Sequence, residues 1–300
     1  HDSNQSVQVI IDKLILLDKF NQHFLFANEK LLSIFLHLKF DFHIFNIVMK
    51  IFYTEFQILN TNAQCLISSR LSQPLLPVLL GLANSQLLTE CREYSLLITQ
   101  ILAIPKNQEY VSNNFLIVLC NVLKNDLESE YVDDLIHLLL IINEIYCINL
   151  SADNPIPYLI DSNIINKIIM RFNRLEVIDD KILCLKLMNG LISTNSLHIY
   201  LNDLLVFKDL LEREFLETDK SQFDYKVIVL KVLYKILEYL KINGHKNIVV
   251  ITIKNLNCIH LDEFSGFKIN EQRIEILKRL ISDIKKLDDR PVVPSRGKKF

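Results

Sequence analysis

Acidic doublets at two helix starts, eight scattered histidines and six cysteines are the residues with which this chain of 300 could hold a metal or carry out acid–base work. Asp133-Asp134 and Asp179-Asp180 are the carboxylate pairs, and such a pair can ligate a hard cation or divide acid and base roles. Each stands at the start of an apolar-periodic segment, however, where attraction to the helix macrodipole accounts for two negative charges without a ligand. His37 and His43 are six apart, a spacing that does not put two ligands on one helix face. His137 leads into Leu138-Leu139-Leu140 and reads as a partly buried helix residue. Cys65, Cys91, Cys120, Cys147, Cys184 and Cys258 include no Cys-x-x-Cys pair, and most lie inside apolar runs. They read as buried free thiols in a reducing, cytoplasmic setting. A Gly-rich phosphate loop, a Gly-x-Ser-x-Gly elbow and a His-Glu-x-x-His helix are all missing. The expectation is a protein that is not an enzyme and needs no metal, no cofactor and no small-molecule substrate.

The chemistry that remains is recognition. Near the C-terminus Pro291-Val-Val-Pro294-Ser-Arg296 fits Pro-x-x-Pro-x-Arg. In a polyproline II helix Pro291 and Pro294 fill aromatic grooves, and Arg296 meets an acidic rim that fixes orientation, as in a ligand for Src-homology-3 domains. The motif sits in a proline-and-basic stretch, 288–300, with nothing to pack, so a disordered tail is expected there.

The elements that position everything else are helices. Half the residues are hydrophobic and 23% are charged, while five Gly and seven Pro are too few for the turns of a many-stranded sheet. A net charge of −2 argues against generic nucleic-acid binding. The apolar run Leu138–Ile148 is interrupted by Asn143 and Glu144. The run Leu71–Thr89 contains Pro74 and Pro77, so no membrane span is expected. The chain opens on His rather than Met, as expected of a piece of a longer protein.

Along the chain, Ser6–Tyr53 is helical in pattern, with Phe24, Phe26, Phe35, Phe40, Phe42 and Phe45 as packing wedges. Pro74 opens a brief helix ending near Gly81 to Asn84. Longer helices are predicted at Thr89–Ala103, Gln108–Lys124, Glu130–Ile148, Asp161–Leu175, Asp179–Ser193, Asp203–Leu216, Phe223–Ile242, His245–Asn257 and Asn270–Leu287. Asp161, Asp179 and Asp203 stand where N-caps belong, and Gly244 fits a C-cap. Leu204, Phe207, Leu211 and Phe215 form one apolar stripe; Val227, Leu230, Tyr234, Leu237 and Lys241 form another. Lys208 with Glu212, and Asp209 with Arg213, are i,i+4 pairs expected on the surface, as are Lys231, Lys235 and Glu238. Pairs of helices recur at about 40 residues, the spacing of HEAT or armadillo units. The expected architecture is an all-α, armadillo/HEAT-like α-solenoid over residues 5–287, with Ser151–Pro157 as the natural joint if the chain has two lobes.

Three segments carry a family likeness: Asp179–Leu191 (DDKILCLKLMNGL), Tyr200–Phe215 (YLNDLLVFKDLLEREF) and Leu230–Leu237 (LKVLYKIL). With Leu138–Glu144 upstream in the same order, they resemble the leucine-rich domain of the WISH/DIP/SPIN family, which includes fungal low-dye-binding proteins of the cortical actin patch. The likeness spans about Glu130–Asn257; Lys235 replaces an expected proline and Ile145 an expected Gln. The resemblance implies an armadillo-like domain that binds and activates the actin-related protein 2/3 complex without a preformed filament, seeding linear filaments at cytoplasmic, cortical sites of endocytosis. Polar groups of the matched helices are then the candidate contacts: Asn202, Asp203, Lys208, Arg213, Lys231, Lys235 and Glu238. A non-catalytic solenoid adaptor that recruits Src-homology-3 domain proteins through its tail is the alternative.

Overall fold

The structure is a computed structural model, and it describes residues 75–103, 111–125, 131–148, 154–194, 199–219, 221–257 and 271–287, with Asn46, Met49, Lys50 and Tyr53. The aromatic wedges from Phe24 to Phe45, Cys65, Cys258 and the tail residues Pro291, Pro294 and Arg296 lie outside the described residues. Every regular element among the described residues is an α-helix, so the all-α expectation holds.

The helices fall into two compact units, divided between Leu159 and Ile160, just past the Ser151–Pro157 stretch. The first holds α1 (Leu75–Leu82), α2 (Ser85–Glu90), α3 (Arg92–Leu102), α4 (Asn113–Asn125), α5 (Val132–Ile148) and the single turn α6 (Ile156–Leu159). Helices pack on the next but one, α1 on α3, α3 on α5, α2 on α4 and α4 on α6, and also on their neighbours, α2 on α3 and α4 on α5. Leu88, Leu97, Ile98, Leu116, Leu119, Leu138, Leu139 and Ile142 are almost wholly buried between them. Asn143 interrupts the apolar run of α5 yet is itself buried. Its Oδ1 accepts from Asn154 Nδ2 at 2.9 Å, and Asn154 Oδ1 accepts from the Ile156 amide at 3.0 Å, so the residue ties the entry of α6 to α5.

The second unit holds α7 (Ser162–Arg174), α8 (Ile178–Ser193), α9 (Leu201–Glu217), α10 (Phe223–Ile242), α11 (Lys246–Asn257) and α12 (Glu271–Lys285). Here too α7 packs on α9, α8 on α10, and α10 on α12. Both apolar stripes are buried except at Tyr234, which is half-exposed. The caps follow the sequence in part. Asp161 Oδ1 accepts the amides of Asn163 and Ile164, both at 3.1 Å, and closes the start of α7. Asp203 and Asp179 do not cap: α9 begins at Leu201 after Tyr200, and α8 at Ile178 after Val177. Both carboxylates sit within the first turn, where they act on the exposed amides of the helix start through charge rather than as caps. Gly244 has φ of +89°, a left-handed conformation that favours glycine. Its amide reaches Lys241 O at 3.1 Å and that of His245 reaches Leu240 O at 2.9 Å, the paired bonds of a Schellman terminus.

Candidate protein-binding faces

The seven candidate contacts lie on α9 and α10, and the structure divides them into two exposed faces and a buried interior. Successive turns of α9 point Asn202, Val206, Asp209 and Arg213 to solvent, because the buried stripe occupies the opposite side. Arg213 does not pair with Asp209. Its guanidinium donates to Asn173 Oδ1 of α7 at 2.7 Å and lies 3.9 Å from Glu217. That bond sets the outward row of α7, Asn163, Asn166, Met170 and Asn173, beside the outward row of α9. Met170 and Val206, 58% and 54% exposed, give the face apolar area around a central Arg. Asp203 is half-exposed at the start of the helix.

On α10 the outward row is Asp224, Ile228, Lys231, Lys235, Glu238 and Ile242. Lys231 is exposed, as expected, while Lys235 and Glu238 are half-buried. Lys235 donates to Ser193 Oγ at the end of α8. Burial lowers its pKa below the ordinary lysine value, and the nearby Glu238 charge opposes the shift. Arg213 therefore belongs to the α7–α9 side, and Lys235 to the α8–α10 side.

Lys208 is buried rather than solvent-facing, a correction to the surface pair expected from the sequence. Lys208 and Glu212 are 6% and 8% exposed. The ammonium meets Glu212 Oε1 at 2.7 Å and Asp209 Oδ1 at 2.5 Å. Thr252 Oγ1 of α11 donates to Glu212 Oε1 at 2.6 Å, and Asn255 Nδ2 to Glu212 Oε2 at 3.2 Å. Burial alone would lower the Lys208 pKa, but its hydrogen bonds and charge contacts with Asp209 and Glu212 outweigh it and leave the pKa raised. The spacing held a signal: Lys208 is four past Leu204 and three before Leu211, on the flank of the buried stripe.

Two other lysines are buried, and of these the sequence reading missed Lys226. Lys226 Nζ donates to Phe215 O and lies 5.0 Å over the Phe215 ring; Lys241 Nζ donates to Leu287 O after α12. Each ammonium holds a carbonyl near the end of a neighbouring helix, where the backbone lacks its own donors. Lys241 was legible, because it continued the apolar line of α10. Beside them Lys181 Nζ meets both oxygens of Glu214, at 2.7 and 2.8 Å, and Tyr225 OH donates to Glu214 Oε2 at 2.7 Å. Burial and the Glu214 carboxylate together raise the Tyr225 pKa.

No cluster of three or more His, Cys, Asp and Glu stands together among the described residues, and the doublets Asp133-Asp134 and Asp179-Asp180 sit in the first turns of α5 and α8. Cys91, Cys120 and Cys184 are buried free thiols, with burial pushing Cys91 up to about 11 and Cys184 up to about 12; Cys147 is exposed. What the region offers is a set of packed helices with a locked interior and two polar–apolar faces. The decisive comparison bears on these same helices. Residues 128–248 match the SPIN90/Ldb17 leucine-rich domain. The matched segment runs from before α5 to the first turn of α11 and covers every candidate contact on α9 and α10, so the resemblance read from the sequence is borne out there. No curated protein matches the chain. No described helix is long and apolar enough to cross a membrane.

Proposed function

We propose that this protein binds the actin-related protein 2/3 complex and activates it without a preformed filament, seeding linear filaments at cortical, endocytic actin patches in the cytoplasm. The match of residues 128–248 to the SPIN90/Ldb17 leucine-rich domain carries this reading, and it favours an adaptor-type protein of the actin machinery over an enzyme. The helices act as an armadillo/HEAT-like solenoid over residues 5–287. Packing of helices both on their neighbours, as α9 on α10, and on the next but one, as α8 on α10, supports that arrangement, since it is how stacked helical pairs bury their stripes.

Activation is a population shift. A binder that prefers the arrangement in which the two actin-like subunits are together favours nucleation by its differential affinity for that state. A contact surface that does not deform preserves that difference. The Lys208–Glu212–Thr252–Asn255 network and the Lys226 and Lys241 contacts hold α9, α10, α11 and the end of α12 in fixed register. The contact face is the α7–α9 side, centred on Arg213 with Asn202, Val206 and Met170, because Arg and exposed apolar groups are enriched in protein interfaces while Lys and Glu are depleted.

The test is pyrenyl-actin assembly with purified complex and no preformed filaments. Wild-type protein shortens the lag only when the complex is present. Arg213→Glu weakens this severalfold with an unchanged helical circular-dichroism signal, and Lys231→Glu with Lys235→Glu weakens it less. Equal activity of Arg213→Glu and wild type moves the contact off this face; no effect of wild-type protein on the lag removes the reading. The tail motif supports a second, separable role, recruitment of Src-homology-3 domain proteins. A peptide spanning Arg290–Lys299 titrates such domains at micromolar affinity, on the order of −7 to −8 kcal/mol, and Pro291→Ala with Pro294→Ala abolishes it.

A further inference from the structure

Helix α12 lies beyond the segment matched to the leucine-rich domain. It docks on α10 and α11 through Ile281, Ile284 and Leu287, all nearly fully buried. Lys278, Arg279, Lys285 and Lys286 are all exposed, and at 100° per residue the four fall within one third of the helix circumference, opposite the buried side. Glu275 is the exposed acid among them. Asp283, half-buried at the edge, lies 4.0 Å from Arg279 and 3.8 Å from Lys286. The sequence continues the bias: from Lys278 to Lys299 there are eight Lys or Arg against three Asp, while the rest of the chain has 25 against 32. One end of an otherwise acidic protein is thus strongly cationic.

We propose that the outward face of α12 is a docking surface for an anionic lipid bilayer. Complementarity of charge carries the choice of occupant, and side-chain composition decides among acidic partners. The face is three Lys and one Arg around Ser282 and a single acid, Glu275, with Ile276 at its margin and no aromatic group among its described side chains. Protein interfaces are depleted in Lys and anchored by buried aromatic and Arg residues. Readers of nucleic acid add stacking or base-edge groups to their cations. A row of flexible point charges without a pocket suits a smeared negative surface, where each Lys or Arg adds attraction and no shape has to fit. The apolar side of α12 is occupied by its own unit, so the contact is electrostatic rather than insertive.

The test is co-sedimentation of the full chain with phosphatidylcholine vesicles, plain or doped with phosphatidylserine. Binding is expected to the doped vesicles alone, falling as salt rises. Each cation removed weakens it about fivefold, so Lys278→Gln/Arg279→Gln/Lys285→Gln/Lys286→Gln brings it to the level of plain vesicles. The same four positions with every Lys changed to Arg keep binding, which separates charge from misfolding. Equal binding to plain vesicles overturns the proposal, as does wild-type binding by the quadruple Gln variant. Loss through Arg296→Gln/Lys298→Gln/Lys299→Gln with the quadruple variant unaffected would assign the lipid contact to the terminus instead and overturn it. So would failure to bind doped vesicles alongside capture of a polyanionic peptide or RNA. Actin assembly does not enter the readout, so this outcome and that of the nucleation assay are independent.

Discussion

The two units bury polar groups in different ways. Among the described residues of the first, Ser95, Thr99 and Asn143 are buried and all are neutral. Ser95 Oγ donates to Arg92 O at 2.8 Å and Thr99 Oγ1 to Ser95 O at 2.7 Å, so both hydroxyls are satisfied by their own helix. The second unit buries Lys208, Glu212, Lys226 and Lys241, and each finds a partner on or beside another helix. Apolar packing tolerates small slides of one helix on another, whereas a buried charge tolerates only the register that pairs it. The first unit is therefore held by burial, and the second by burial plus charges that specify how its helices stack. The specified unit carries all seven candidate contacts.

Breaking a buried pair is the strongest way to challenge this contrast. Glu212→Leu strands the Lys208 ammonium and leaves Thr252 and Asn255 without their acceptor, for an expected loss of about 3 kcal/mol. Lys208→Met/Glu212→Leu recovers much of that loss, because no buried charge remains. Urea unfolding of the wild type, both single variants and the double variant closes the cycle. Strictly additive losses would show that the two residues do not act as a pair. The neutral counterpart in the first unit is Tyr94, whose hydroxyl donates to Leu79 O at 2.5 Å in a buried site. Tyr94→Phe leaves that carbonyl unpaired and costs about 1–2 kcal/mol in the same assay.

The contrast also locates what could be read in advance. Helix positions on both sides of the division were legible because apolar residues recur with the helical period: α10 falls on its expected span, Phe223–Ile242, and α8 ends at Ser193 as expected. The Gly244 terminus was legible because few other residues accept its backbone angle. The buried network was not read, because a Lys four residues before a Glu looks the same on a surface as in an interior. Only the neighbouring helix α11, which brings Thr252 and Asn255, makes the difference. The caps at Asp179 and Asp203 failed for a related reason: an acidic residue is favourable both at the cap and within the first turn, and the sequence alone does not separate the two. Arg213 reaching across to Asn173 rather than back to Asp209 is again a tertiary choice.

Titration at high pH sharpens the comparison. The raised pKa values of Lys208 and Tyr225 mean that folding favours the protonated form of each. Their stabilising contribution is complete below the unfolded-state values, about 10 for both side chains, and is lost as pH rises toward the folded-state values. Stability from urea unfolding is thus expected to fall as pH rises above about 10, and Tyr225→Phe is expected to reduce the slope. An unchanged slope in Tyr225→Phe would mean that Glu214 is held by Lys181 alone.

The smallest expected effect compares the same chemistry in two settings. Arg92 Nε meets Asp134 Oδ2 at 2.6 Å in the first unit, with 52% of the Arg92 side chain exposed; Lys181 and Glu214 meet at 2.7 Å with both side chains 12% exposed. Water and salt screen the first pair on one side and have little access to the second. Asp134 also sits in the first turn of α5, so it keeps a favourable interaction with the helix start that does not need Arg92. Arg92→Gln should therefore cost no more than about 0.5 kcal/mol, and that difference should vanish in 0.5–1 M salt, roughly three or more times the physiological ionic strength. Lys181→Gln leaves Glu214 with Tyr225 as its remaining partner in a shielded site, and its larger cost should persist in the same salt. If both costs disappear together in salt, the second unit is no better shielded than the first, and its charges do not set its register.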